Sequence, residues 1–476
     1  MLFVVLAFYS QGTAQIVGKL VDIVPKAFSD ETNQDSEPGL AINPVNPAQA
    51  VVSVFTPRVN YCATRFAPLF VTFNAGATWD LRCWLRSATW TADATIRFGR
   101  NGMLYAGIVR QPDYRLLILR GPVPSKDPMK AILSKKAPDS KHIFDQPFLE
   151  IATESPDEVY LGENDTTGSK GGVPTASLEQ SHNPTESAPS FVFRKVDKRT
   201  SWFDLPPIRP VSHRDGHVYA AFISVHDYDQ AKNRLVGDVV VVQGHKVPGA
   251  SEVQFSDLVD REDNLTGMRV AKSVMFPYDG QDVPCCLGQQ RYQASLSLAV
   301  DPTRSNKLYV AWGDMQSETY TLHVRASSDS GKHWDKSDLW TEPNAMNPAL
   351  AVDSRGTVAF LFQRLNTENS QERWITIVKG VGPSEIVLAD VPASEPKRDF
   401  QPYIGDYIDL RAHGTRFYGV FSANNTPDLT HFPAMTPVFL RNHDFESHTL
   451  WGSDGKTRIP PSIAPFYFEV EDERSK

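Results

Sequence analysis

Carboxylates, arginines and tyrosines recur in this 476-residue chain at one kind of place, just outside pairs of apolar runs. Arg58, Glu163, Asp227, Asp314 and Arg364 follow the second run of such a pair, as do Gln363 and Asn424. Asp93, Arg291 with Tyr292, Asn347, Asp399 and Tyr403 lead into the first run. An arginine grips a carboxylate through two parallel N–H bonds. Paired carboxylic acids are the common machinery for cleaving a glycosidic bond. A tyrosine becomes a nucleophile only when a neighbouring base takes its proton. Strand ends of one kind that meet at one mouth would gather these groups into a polar rim suited to a sugar or similar ligand.

The elements that must position them form a repeat. Seven segments share an apolar run, a short turn with Asp, Asn or Gly, and a second run rich in Val, Tyr, Phe or Trp. The clearest is Ser295-Leu296-Ser297-Leu298-Ala299-Val300-Asp301-Pro302, followed by Lys307-Leu308-Tyr309-Val310-Ala311-Trp312. The others open near Glu37, Ala94, Gln146, Arg209, Pro348 and Gln401, about 50 to 85 residues apart. Unbroken apolar runs mark strands buried on both faces. The pattern predicts an all-β chain, a single closed β-propeller of four-stranded blades, with seven blades favoured over six. Each pair would be the two inner strands of a blade. Gln15 to Val24 and Ile463 to Val470 would share one blade and close the ring, which removes exposed sheet edges.

Two hairpins carry a sharper signature. Ser327-Ser328-Asp329-Ser330-Gly331-Lys332-His333-Trp334 follows a strand-like run, with Gly331 free to take positive φ and Trp334 placed to pack under the loop. The Asp329 carboxylate can accept bonds from the turn's own amides. Thr72-Phe73-Asn74-Ala75-Gly76-Ala77-Thr78-Trp79 keeps Gly76 and Trp79 at the same spacing, with Asn74 in place of Asp. The order S-x-D-x-G-x-x-W resembles the Asp box of the sialidase-like (BNR-repeat) β-propellers.

That resemblance implies Asp boxes on the face opposite the ligand site, with the rim residues above around the other mouth. It further implies Arg58, Arg291 and Arg364 as a clamp on a ligand carboxylate, with Tyr292 and Asp399 beside them. Tyr403 or Tyr292 with Glu163 would form the nucleophile and its base, and Asp227 or Asp314 the acid/base. The chain departs from the sialidases where it leads into the first blade. There Ser36-Glu37-Pro38 stands in place of their Arg-Ile-Pro, which points away from a true sialidase. A glycoside-hydrolase-type enzyme and a non-catalytic propeller that binds glycans or proteins both fit the sequence.

Composition narrows the partners. A net charge of −8 and the lack of a basic block argue against nucleic acid, and no apolar run is long enough to span a membrane. Residues 1–15 resemble a signal peptide with Met1 to Phe8 as its apolar core, so residues 16–476 would be one exported domain, secreted or periplasmic. Cys62, Cys83, Cys285 and Cys286 allow three complete pairings and are expected as disulfides, with the pairing open. Their spacing is not that of a zinc site. His213, His217 and His226 crowd one blade with Asp215 and Asp227 but flank a turn, so no metal or cofactor is expected. Thr166 to Ala188 and Ser251 to Gln290 read as loop insertions. The oligomeric state stays open.

Overall fold

The computed structural model describes residues 17–32, 34–55, 68–83, 91–110, 115–123, 129–136, 144–152, 156–165, 176–201, 207–247, 249–250, 252–277, 295–315, 319–368, 371–393, 395–396, 404–434 and 437–472. The chain is all-β, and its helical content among these residues is two single 3₁₀ turns, Lys26–Phe28 and Leu429–His431. No helix among the described residues is long and apolar enough to cross a membrane.

Six four-stranded antiparallel sheets follow one another along the chain. The first sheet joins Ser36–Ile42, Ala50–Phe55, Pro68–Thr72 and Asp80–Cys83. The second joins Thr91–Phe98, Leu104–Arg110, Arg115–Gly121 and Lys130–Lys135. The third runs from Phe144–Ala152 and Glu158–Asp165 to Ser177–Ser181 and Val192–Lys195. In the fourth are Arg209–Ser212, His217–Asp229, Arg234–His245 and Met268–Pro277. The fifth holds Leu296–Asp301, Arg304–Asp314, Thr321–Ser327 and Trp340–Pro343. The sixth holds Ala345–Val352, Val358–Glu368, Gln371–Lys379 and Ile386–Pro392.

A seventh sheet uses both ends of the described chain. Asp409–His413 pairs with Arg416–Asn424, which pairs with Ile463–Glu471, which pairs with Val17–Asp22, and Pro437–Phe439 adds a parallel edge. Each repeat read from the sequence thus supplies the first two strands of a sheet. The first strands touch their neighbours in chain order, and that of the seventh sheet lies against that of the first.

A first strand has one edge paired and one edge open, and its buried N–H groups need partners. Side chains of the preceding sheet supply them. Leu149 N–H donates to Thr95 Oγ1 at 3.2 Å, Ser212 N–H to Glu150 Oε1 at 3.0 Å, and Leu350 N–H to Ser297 Oγ at 3.0 Å. Leu40 N–H donates to Asp409 Oδ2 at 3.0 Å, which carries the same device from the seventh sheet to the first.

Two stretches expected as loops contain strands. Ser177–Ser181 is the buried third strand of its sheet, and its polar sequence hid it. Gln180 solves the burial by accepting from Val253 N–H at 2.8 Å and donating to Val253 O at 3.2 Å. Met268–Pro277, inside the other expected insertion, is the outer strand of the fourth sheet. Both Asp-box hairpins link the third and fourth strands of their sheets.

Candidate functional site

In a four-stranded antiparallel sheet, the turn from third to fourth strand lies at the end opposite the start of the first strand. The two Asp boxes therefore mark one face, and the first strands begin at the other. There the backbone does something unusual three times. Glu37, Gln146 and Asn347 adopt φ of 54°, 40° and 55°, each directly before a proline. A residue before proline is ordinarily held extended, so these are strained positions of order 1–3 kcal/mol each. Each sits in a register shift, between Ser36 and Gly39, Asp145 and Phe148, and Met346 and Ala349. A bulge of this kind re-aims a side chain.

The re-aimed groups are buried and polar. Gln146 Nε2 donates to Asp406 Oδ2 at 3.0 Å, joining the third sheet to the lead into the seventh. Asn347 Nδ2 donates to Gln363 Oε1 and to Gly405 O, both at 3.0 Å. Gly405 has φ of 89°, and a Cβ there would come within 2.6 Å of Glu37 N, so only glycine lets the two chain segments meet. Tyr407 Oη donates to Asp93 Oδ1 at 3.3 Å. Burial holds the Tyr407 phenol well above its usual range.

Beside these strand starts a narrow cavity is walled by Phe148, Leu296, Leu298 and Leu350, with Arg209, Asp406, Asp409 and Arg411 also reaching it. Arg97 pairs with Asp409 at 3.1 Å, and Arg411 with Asp409 at 2.9 Å. Burial raises the Asp409 and Glu150 carboxyls, against the pull of Arg97 on the first and the hydrogen bonds of Ser212 on the second. Burial lowers Arg209 to about 10, so it stays protonated at neutral pH.

The residues expected from the sequence are placed as follows. Glu163, near the end of a second strand and 3% exposed, pairs with Lys135, which also holds Glu179 at 2.8 Å. Asp314, at the end of the fifth sheet's second strand, lies 3.4 Å from His323 Nε2, while His323 Nδ1 meets Asp338 at 2.7 Å. Burial disfavours the imidazolium, yet the two carboxylates outweigh it and push His323 up to about 9. Asp227 is exposed at a bulge, and its Oδ1 accepts from Tyr228 N–H at 2.8 Å. Arg364 bridges Glu342 at 3.0 Å and Glu385 at 3.2 Å.

All four lie toward the end of a second strand that faces away from the Asp boxes, but on four different sheets, each held by partners of its own. Among the described contacts none joins two of them. Arg58, Arg291, Tyr292, Asp399 and Tyr403 lie outside the described residues, as do Cys62, Cys285 and Cys286, while Cys83 closes a strand of the first sheet. His213 and His217 share Asp215 at 2.8 Å each, whereas His226 faces Asp238 at 3.3 Å. No metal-binding cluster of three His, Cys, Asp or Glu occurs among the described residues. Asn347, Asp93 and Gln363 were among the residues expected at these strand ends, whereas Glu37, Gln146 and Asp406 were not. The recurring X-Pro at the head of first strands, Glu37-Pro38, Gln146-Pro147 and Asn347-Pro348, was the available signal.

No family model matches the chain, and no curated protein matches it. Solved structures similar to it include a Hadza microbial sialidase, at 14% identity and TM-score 0.42, covering 78% of this chain and 73% of that one. Penicillium chrysogenum α-L-arabinanase complexed with arabinobiose is similar at 10% identity and TM-score 0.44, over 73% of this chain and 93% of that one. Chaetomium thermophilum Sqt1, bound to the N-terminus of a ribosomal protein, is similar at 11% identity and TM-score 0.41, over 93% and 98%.

Proposed function

We propose that these seven sheets, leaving aside a small three-stranded one of Asn442–Asp444, Thr449–Trp451 and Arg458–Ile459, close into a seven-bladed β-propeller whose axial mouth, opposite the Asp boxes, binds a glycan or a similar polyhydroxylated ligand. The observation that carries the reading is the Gln146–Asp406 hydrogen bond at 3.0 Å between the third sheet and the lead into the seventh. Sheets three and seven are not neighbours in chain order, so side chains that meet this way project toward a common axis. Strained backbone retained at three first-strand starts supports the same location, because such strain persists where a site must be held in one geometry. Amide and carboxylate side chains side by side offer donors and acceptors in the mixture that sugar hydroxyls need.

Binding is the leading activity. Glu163, Asp314 and Arg364 are each engaged in ion pairs, and Tyr407 is held protonated. Hydrolysis is the second reading, favoured by the delivery of Glu163, Asp227 and Asp314 to the mouth end of their sheets. In it Tyr403 or Tyr292 attacks, Glu163 takes its proton, and Arg58, Arg291, Arg364 and Asp399 hold the substrate. Export to the periplasm or outside the cell belongs to both readings.

A glycan array run beside a panel of chromogenic glycosides tests the proposal. Binding that Asn347→Ala and Gln146→Ala weaken at least tenfold, without turnover, supports the binding module. Turnover lost in Glu163→Gln supports the hydrolase. A protein that neither binds nor turns over any member of either panel sinks both.

A further inference from the structure

Beneath the mouth, Arg209 is 4% exposed and its guanidinium sits 4.2 Å from the centre of the Phe148 ring. Its Nε donates to the Leu296 carbonyl at 3.0 Å, and its buried Nη1 meets no partner. No carboxylate pairs with it among the described residues. Arg97 lies 5.2 Å from the same ring centre and is likewise buried. One of its nitrogens serves Asp409, Leu40 O and Ile96 O, while Nε and Nη2 are buried and unpartnered. Arg411 turns Nη2 to Asp409, and its buried Nε is also unpartnered.

The carboxyls nearby are engaged elsewhere. Arg97 and Arg411 both hold Asp409, and Asp406, which lines the same cavity, accepts from Gln146 Nε2 at 3.0 Å. Glu150 spends Oε1 on the Ser212 N–H at 3.0 Å and hydroxyl at 2.7 Å, and Asp93 accepts from Tyr407 Oη at 3.3 Å, so none of them pairs with Arg209. A buried cation without a partner is costly, and proteins ordinarily answer it with an opposite charge or a bound ion. Arginine cannot discharge itself by losing its proton at neutral pH. Four buried N–H-bearing nitrogens on three arginines grouped around Phe148 and Asp409 therefore await acceptors.

We propose that the axial channel holds a small inorganic anion, of the chloride class, bound by Arg209 together with the free nitrogens of Arg97 and Arg411. The anion lies below the mouth, so its presence does not depend on what the mouth binds. It accepts from the open N–H groups and ties together the second, fourth and seventh sheets, from which the three arginines come. The cavity is narrow, with Phe148, Leu296, Leu298 and Leu350 on its wall beside Ser297 and Asn347, which favours a small ion.

Thermal unfolding of the full chain in sodium chloride against sodium gluconate, at matched ionic strength, reads this out. An anion that binds only the folded state raises Tm in proportion to the logarithm of its concentration above Kd. The wild type should rise with chloride and not with gluconate, and Arg209→Met should lose at least half of that slope while unfolding no earlier than wild type in gluconate. Phosphate in place of chloride separates the classes: a steeper rise with phosphate overturns the chloride assignment. Should Arg209→Met fail to fold, Arg411→Gln and ³⁵Cl line broadening of the wild type give the same reading. Equal slopes in chloride and gluconate, with no line broadening, overturn the proposal.

Discussion

In the hairpin of the first sheet, Thr72 Oγ1 donates to Asn74 Oδ1 at 3.0 Å and accepts from Gly76 N–H at 2.9 Å. In the hairpin of the fifth, Ser327 Oγ donates to Asp329 Oδ1 at 3.0 Å and accepts from Gly331 N–H at 3.0 Å. Four residues on, Thr78 N–H and His333 N–H each donate to that same Asx oxygen at 2.9 Å. The wiring is the same, and the surroundings are not. Trp79 is 3% exposed, donates from Nε1 to Gly76 O at 3.2 Å, and meets Tyr467 edge-on at 5.2 Å between ring centres. Tyr467 belongs to the seventh sheet, and Lys19 of that sheet also donates to Ala75 O. Trp334 is only half buried, against the cluster that includes Leu258 and Leu308. A short motif therefore dictates its own turn, while the neighbouring sheet dictates how much that turn stabilises.

The largest effect should separate the two tryptophans. Trp79→Ala removes a buried aromatic at the seam where both chain ends meet, and should cost about 3–5 kcal/mol in urea unfolding. Trp334→Ala should cost about 1–2 kcal/mol, in proportion to its shallower burial. Equal losses would break the comparison.

The glycines sharpen it. Gly76 and Gly331 hold φ of 79° and 83°, so alanine at either pays roughly 1–2 kcal/mol for left-handed backbone. Only at Gly76 does the new Cβ also clash hard, 2.8 Å from Tyr467 Cε1 against 3.2 Å from Leu258 Cδ1 at Gly331. Overpacking should add about 1 kcal/mol or more to Gly76→Ala. A smaller loss there than in Gly331→Ala would show that Tyr467 simply moves aside.

The smallest effect is in pH. Partial burial works to raise the Asp329 carboxyl, but hydrogen bonds from His333 and Ser327 outweigh it and hold it below its usual range. A depressed carboxyl stabilises the folded state above the ordinary Asp value of about 3.9 and loses that contribution as pH falls through the folded value. Asn74 has no such titration. Wild type should therefore lose more Tm than Asp329→Asn between about pH 5 and about pH 3. Identical acid profiles for the two proteins would remove the carboxyl from the account.

Much of the frame was legible because its causes are local. An apolar run broken by Asp-Pro or Arg-Gly and resumed with Val, Tyr or Trp can hardly be anything but two buried strands and a turn, and it placed the first two strands of each of the seven sheets described above. The terminal strands Val17–Asp22 and Ile463–Glu471 were equally visible as alternating runs at the two ends. Ser177–Ser181 was not, because a strand of Ser, Glu and Gln is buried only when other segments hydrogen-bond its side chains.

The site divides in the same way. Sequence alone determined which strand ends face away from the Asp boxes, since strand direction follows from strand count. It could not say which of the charges delivered there are occupied. Lys135 and Glu163 sit 28 residues apart in the chain, and Arg97 and Asp409 are 312 apart, yet each pair is joined in space. Ion pairing depends on through-space distance in a low-dielectric interior, and that distance exists only after the sheets have packed. The same packing leaves Arg209 in no ion pair among the described residues, although Asp406 and Asp409 line the same cavity.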